Sequence, residues 1–204
     1  MPILKIFSFE NTLTSKEIEG EEPKDNIKIG LDAVLMHNAE RLCAVATVLP
    51  NPEVVKVYLE HILKAELTYQ SRTMHRDFQL TQYRLEGCAT PLIIATAHSD
   101  DYEEHVENIT FNGKLMMLQC ITSQLPECQE KHFYENDETI ITNLGTHSAN
   151  KFQRYLVKEE ATFSCKKIEN IAPLSPSIPS AFFASSLVGR TKSLPNGGYR
   201  NNLF

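Results

Sequence analysis

An α/β fold, with a Rossmann-like and mostly parallel sheet flanked by helices, is what this sequence predicts, and three observations predict it. Four short apolar runs, beginning near Leu4, Leu42, Thr90 and Glu138, are each closed by turn formers, as strands buried on both faces are. Stretches whose apolar residues recur at helical intervals lie between them. Strands alternating with helices in this way build parallel sheets.

The first run organises the rest. Residues 4–9 are apolar apart from Lys5 and Ser8, and the chain turns polar by Asn11. The polar end brings Ser8, Glu10 and Thr12 to the sheet's carboxyl edge, where open α/β sheets bind ligands. The acidic segment 15–26 has almost nothing to bury and reads as an exposed loop. Ile27, Leu31, Val34, Leu35 and Leu42 then make a helical stripe across residues 27–42.

The run at 42–49 reads as the second strand, ending at Thr47 or shortly after. Asn51 is a good helix cap and Pro52 suits a first helical position. Val54, Val55, Tyr58, Leu59, Ile62 and Leu63 continue that helix. Residues 68–87 are mixed and basic-leaning and carry only a weak period of two. Pro91 opens the third strand, where its missing N–H is harmless. A helix follows from Lys114. Residues 138–143 read as the fourth strand, and residues 148–157 as the last helix.

Composition excludes more than it selects. With 42% hydrophobic and 23% charged residues the chain is ordinary for a globular domain, and 204 residues are enough for one α/β core with an appendage. The net charge of -6 gives no reason to expect nucleic-acid binding. No apolar run reaches the roughly 18 residues of a membrane span, and the first residues lack the form of a signal peptide. Cys43, Cys88, Cys120, Cys128 and Cys165 are odd in number and without a Cys-x-x-Cys pair, a pattern of reduced cytosolic thiols. From Asn170 onward there is no acidic residue, while Pro173, Pro176, Pro179 and Pro195 punctuate a Ser- and Asn-rich arm. Its one apolar island, with Phe182, Phe183 and Leu187, is a candidate partner-binding segment.

Ile6-Phe7-Ser8-Phe9-Glu10-Asn11-Thr12 resembles the first motif of the haloacid dehalogenase-like (HAD-like) phosphatases, in which an apolar strand ends in Asp-x-Asp-x-Thr. The resemblance extends to Thr47 at the second strand end and to Asn112-Gly113-Lys114. It also takes in residues 139–145 as the acidic, magnesium-holding strand end. Residues 29–37, 44–47 with 51–52, and 86–92 are similar to HAD-like effectors secreted by intracellular bacteria. The resemblance implies a HAD-like core with a minimal cap over residues 1–158 and leaves residues 159–204 as the arm. It implies that Ser8 and Glu10 stand at the nucleophile and acid/base positions, and that Thr47 and Lys114 bind phosphate.

Two departures weaken the inherited chemistry. Ser8 replaces the nucleophilic carboxylate, and an unassisted hydroxyl is a weak nucleophile. No acidic residue lies between Glu138 and Glu159, so the expected metal strand offers Asn143 instead. Asp100 and Asp101 are substitute magnesium ligands, alongside Glu10. The expectation is therefore a pseudophosphatase that needs no cofactor and works by binding a protein, either cytoplasmic or secreted into a host cell. The alternative is an active phosphatase or phosphotransferase with an altered magnesium site.

Overall fold

The computed structural model describes residues 2–15, 23–35, 41–49, 51–75, 78–88, 90–97, 111–146 and 152–169. Among these residues eight strands form one sheet: β1 (Ile3–Ser8), β2 (Arg41–Thr47), β3 (Leu67–Met74), β4 (Phe78–Leu85), β5 (Pro91–Ala97), β6 (Glu130–Glu135), β7 (Gln153–Val157) and β8 (Cys165–Ile168). Their spatial order is β3-β4-β5-β2-β1-β6-β7-β8. The pairings across β5-β2-β1-β6-β7 are parallel, and the outer ones are antiparallel. Numbered by their own sequence, the five parallel strands run 3-2-1-4-5, so the winding direction reverses between β1 and β6. That reversal opens a crevice at their carboxyl ends, the place where doubly wound sheets bind ligands.

The strands bury both faces, and residue parity decides which. Leu4 and Ile6 of β1 join Leu42, Ala44, Ile93 and Phe133 under α4 (Phe111–Gln124) and α5 (Glu138–Thr146). Phe7 joins Cys43, Val45, Ile94 and Tyr134 under α3 (Pro52–Leu63). The α3 start is as the sequence reads it, with Pro52 in the first turn and Asn51 accepting the Glu53 N–H at 3.0 Å.

Three expectations of secondary structure are corrected, and one stretch gains an assignment. Among its described residues the stripe at 27–42 yields the single turn α2 (Leu31–Val34), following a turn α1 (Pro23–Asn26) in the segment before it, because Ile27 and Ile29 bridge to Thr14 and Thr162 and Gly30 adopts φ 86°. The described residues of 68–87, where the sequence shows only a weak period of two, form most of the antiparallel β3–β4 pair. The expected fourth strand is instead helix α5. Asp137 caps it, its Oδ1 accepting the N–H groups of Thr139 at 2.7 Å and Ile140 at 3.3 Å, and Ile141 and Leu144 then fall on one buried helical face. The last helix is replaced, in its described part, by strand β7.

β7 also carries β8 at its edge, and the unit containing them runs from Met1 to Ile171. Residues 159–169, assigned to the arm by sequence, therefore belong to the α/β body. Residues 172–204, with Phe182, Phe183 and Leu187, lie outside the described residues, as do Asp100 and Asp101.

On the α3 face, the Thr81 and Thr96 hydroxyls are fully buried and have no hydrogen-bond partner among the described residues. A buried hydroxyl left unpaired is costly, and valine has nearly the same shape. Thr96→Val is expected to raise the unfolding free energy by about 1–2 kcal/mol, read from urea denaturation.

Candidate functional site at the strand reversal

Ser8 is the last residue of β1 and is fully buried, with even parity that turns it toward the α4 side. Lys114, in the first turns of α4, reaches across and donates from Nζ to Ser8 Oγ at 2.7 Å. The same ammonium makes a short ion pair with Glu135 Oε2 at the end of β6. Glu135 is almost wholly buried, and its other oxygen accepts the backbone N–H groups of Asn136 at 2.9 Å and Asp137 at 3.3 Å.

A second contact lies beside the first. The Thr47 hydroxyl, at the end of β2, makes a short hydrogen bond to Glu10 Oε1, and the Val48 N–H donates to that oxygen at 3.3 Å. Thr47 Oγ1 in turn accepts the Leu49 N–H at 3.0 Å, so its proton is directed at Glu10. The Asn136 carboxamide joins the two contacts when its amide is assigned with the nitrogen, and not the oxygen, facing the two acceptors, Glu135 Oε1 at 2.9 Å and the Glu10 carbonyl at 3.2 Å.

Ser8, Glu10, Thr47 and Lys114 therefore meet at one place. Asn143 sits within α5 and not at a strand end. The sequence reading missed Glu135 and Asn136. Their strand begins Glu130-Lys131-His132 and shows no apolar run, and the available signal was the aromatic pair Phe133-Tyr134 running directly into Glu135-Asn136-Asp137.

Burial pushes the Glu10 carboxyl above its ordinary value of 4.5, with the Thr47 hydrogen bond and the Lys114 charge partly offsetting it. The folded chain thus holds this proton more tightly than the unfolded one. Its contribution to stability is complete below the ordinary value and is lost as pH rises through the raised one. Measured as wild type minus Glu10→Gln, the unfolding free energy is expected to fall with rising pH over that window.

Magnesium asks for unshared oxygen donors, usually from one or two carboxylates. Here Glu135 is committed to Lys114 and two amides, Glu10 Oε1 is taken up by Thr47 and Val48, Asp137 caps α5, and Ser8 Oγ accepts a hydrogen bond from the Lys114 ammonium. In this arrangement each of these groups already has a partner. Among the described residues no group of three or more His, Cys, Asp or Glu side chains gathers at metal-binding distance. Cysteine chemistry is no substitute in the core, where burial pushes the Cys43 thiol up to about 12 and leaves it a poor nucleophile.

Fold and site together define a doubly wound α/β protein with a buried, hydrogen-bonded charge pair at its strand reversal. Compared with family models, curated proteins and solved structures, the chain matches none.

Proposed function

We propose that the chain is a catalytically impaired HAD-like pseudophosphatase that acts by binding a protein, of the kind intracellular bacteria secrete as effectors or effector regulators. One observation carries the silent site: Lys114 lies between Ser8 and Glu135 and donates to the Ser8 oxygen. A serine nucleophile needs a neighbour that accepts its proton. An ammonium held by a carboxylate only donates, so among the described residues Ser8 has no base.

The HAD-like part of the reading draws support from the meeting of Ser8, Glu10, Thr47 and Lys114, which the motif resemblance brought together from separate stretches of sequence. It draws further support from the position of that meeting at the strand reversal. With its chemistry silenced, the site leaves partner binding as the role, and the Phe182-Phe183 island of the arm is the proposed additional contact.

A second reading, an active phosphatase with an altered metal site, is favoured by Glu135, a strand-end carboxylate of the type the first reading expected to be missing. Hydrolysis of an aryl phosphate separates the two. The pseudoenzyme gives no magnesium-dependent turnover above buffer and no difference between wild type and Ser8→Ala. Turnover abolished by Ser8→Ala or by Glu135→Gln, with the fold intact, would establish the enzyme instead.

A further inference from the structure

The Glu10 side chain comes from the loop after β1, whereas the donors that hold it belong to the end of β2. Thr47 is fixed in the sheet by its parallel pairing with Thr96, and Val48 follows directly. A hydroxyl and a backbone amide that converge on one carboxylate oxygen make a seat for a carboxylate. Nothing in that seat is specific to the tether: both donors point at the oxygen, and the nearby charges of Lys114 and Glu135 act on it in opposite senses.

We infer that Thr47 and Val48 form a carboxylate-binding seat which Glu10 fills in the free chain and which a carboxylate of a protein partner, from an aspartate, a glutamate or a chain terminus, takes over on binding. The inference rests on the protein-binding reading above and gives that partner a chemistry. The exchange conserves the hydrogen bonds of the seat, because one carboxylate oxygen replaces another. It releases the Glu10 side chain and leaves the Glu10 backbone held through its carbonyl by Asn136. Glu10 is then an internal competitor, and a binding partner has to displace it.

Acetate is the simplest probe of such a seat. The melting temperature of Glu10→Ala is expected to rise in sodium acetate relative to sodium chloride at matched ionic strength and neutral pH. Wild type, whose seat is filled, is expected to show no such rise, and the double variant Glu10→Ala with Thr47→Val is expected to lose it. In the single variant the Val48 amide resonance should move with acetate and saturate. If Glu10→Ala fails to fold, Glu10→Asn, whose shorter side chain stops short of the seat, takes its place in both measurements.

An acetate response equal in wild type and variant, or absent from the variant, would overturn the inference. So would an equal response to inorganic phosphate, which would show a general anion site and not one for carboxylates. Neither measurement reads hydrolysis. A failed acetate response therefore leaves the silent-site reading standing, and magnesium-dependent turnover would remove that reading without bearing on the seat.

Discussion

Replacing Glu135 with alanine is expected to lower the unfolding free energy by about 3–5 kcal/mol, because it strands a buried ammonium. The Lys114 side chain is 11% exposed and that of Glu135 is 1% exposed, so water cannot solvate the charge that remains. The loss reaches beyond the pair, since Glu135 Oε1 also receives the amides of Asn136 and Asp137 and the Asn136 carboxamide. Removing both charges together, as Lys114→Met with Glu135→Leu, should recover much of the loss, since well-packed apolar replacements of buried ion pairs are often neutral or better. Urea denaturation of the two single variants and the double variant gives the coupling. A Glu135→Ala cost within about 0.5 kcal/mol, the range of ordinary surface substitutions, would mean that the pair is open to solvent.

Phe7→Ala is the second large effect, expected at about 3–5 kcal/mol from the cavity it leaves in the sheet's α3 face. Phe7 is fully buried and sits in register between Val45 of β2 and Tyr134 of β6. Its ring stacks on Tyr134 with centroids 4.5 Å apart, meets Phe163 edge-on at 6.5 Å, and Tyr134 stacks in turn on Tyr155 at 4.6 Å. Such pairs add about 0.5–1.5 kcal/mol to area burial, which places Phe7→Ala toward the upper end of its range. Val57→Ala on the exposed side of α3 is the control, expected within about 0.5 kcal/mol.

The parts of this architecture that were legible in the sequence are those where burial on both faces leaves an unbroken apolar run. β1, β2 and β5 read directly, as did the Asn51-Pro52 start of α3. The parts that were not share a cause. β6 enters the sheet through Glu130, Lys131 and His132, whose half-exposed positions hide its strand character. Residues 138–143 are as apolar as a strand, and only the Asp137 cap and the helical spacing of Ile141 and Leu144 make them a helix. Short apolar runs do not distinguish the two.

That one exchange moved the site. Placing the fourth strand at residues 138–143 made the metal position look empty of carboxylates and put Asn143 into it. With the strand at Glu130–Glu135, the position holds a carboxylate that Lys114 occupies. Ser8, Glu10, Thr47 and Lys114 were readable because each lies at or just after the end of a well-marked strand or near the start of a well-marked helix, which is where local sequence and tertiary position coincide.

The central claim is that Ser8 Oγ accepts a hydrogen bond from Lys114 and, among the described residues, has no neighbour placed to take its own proton. Incubating the folded protein with excess aryl phosphate and magnesium, quenching in acid and weighing the intact chain tests this most directly. The account expects the mass of the unmodified chain at every time point. A phosphoryl adduct that maps to Ser8 and is absent from Ser8→Ala would contradict it.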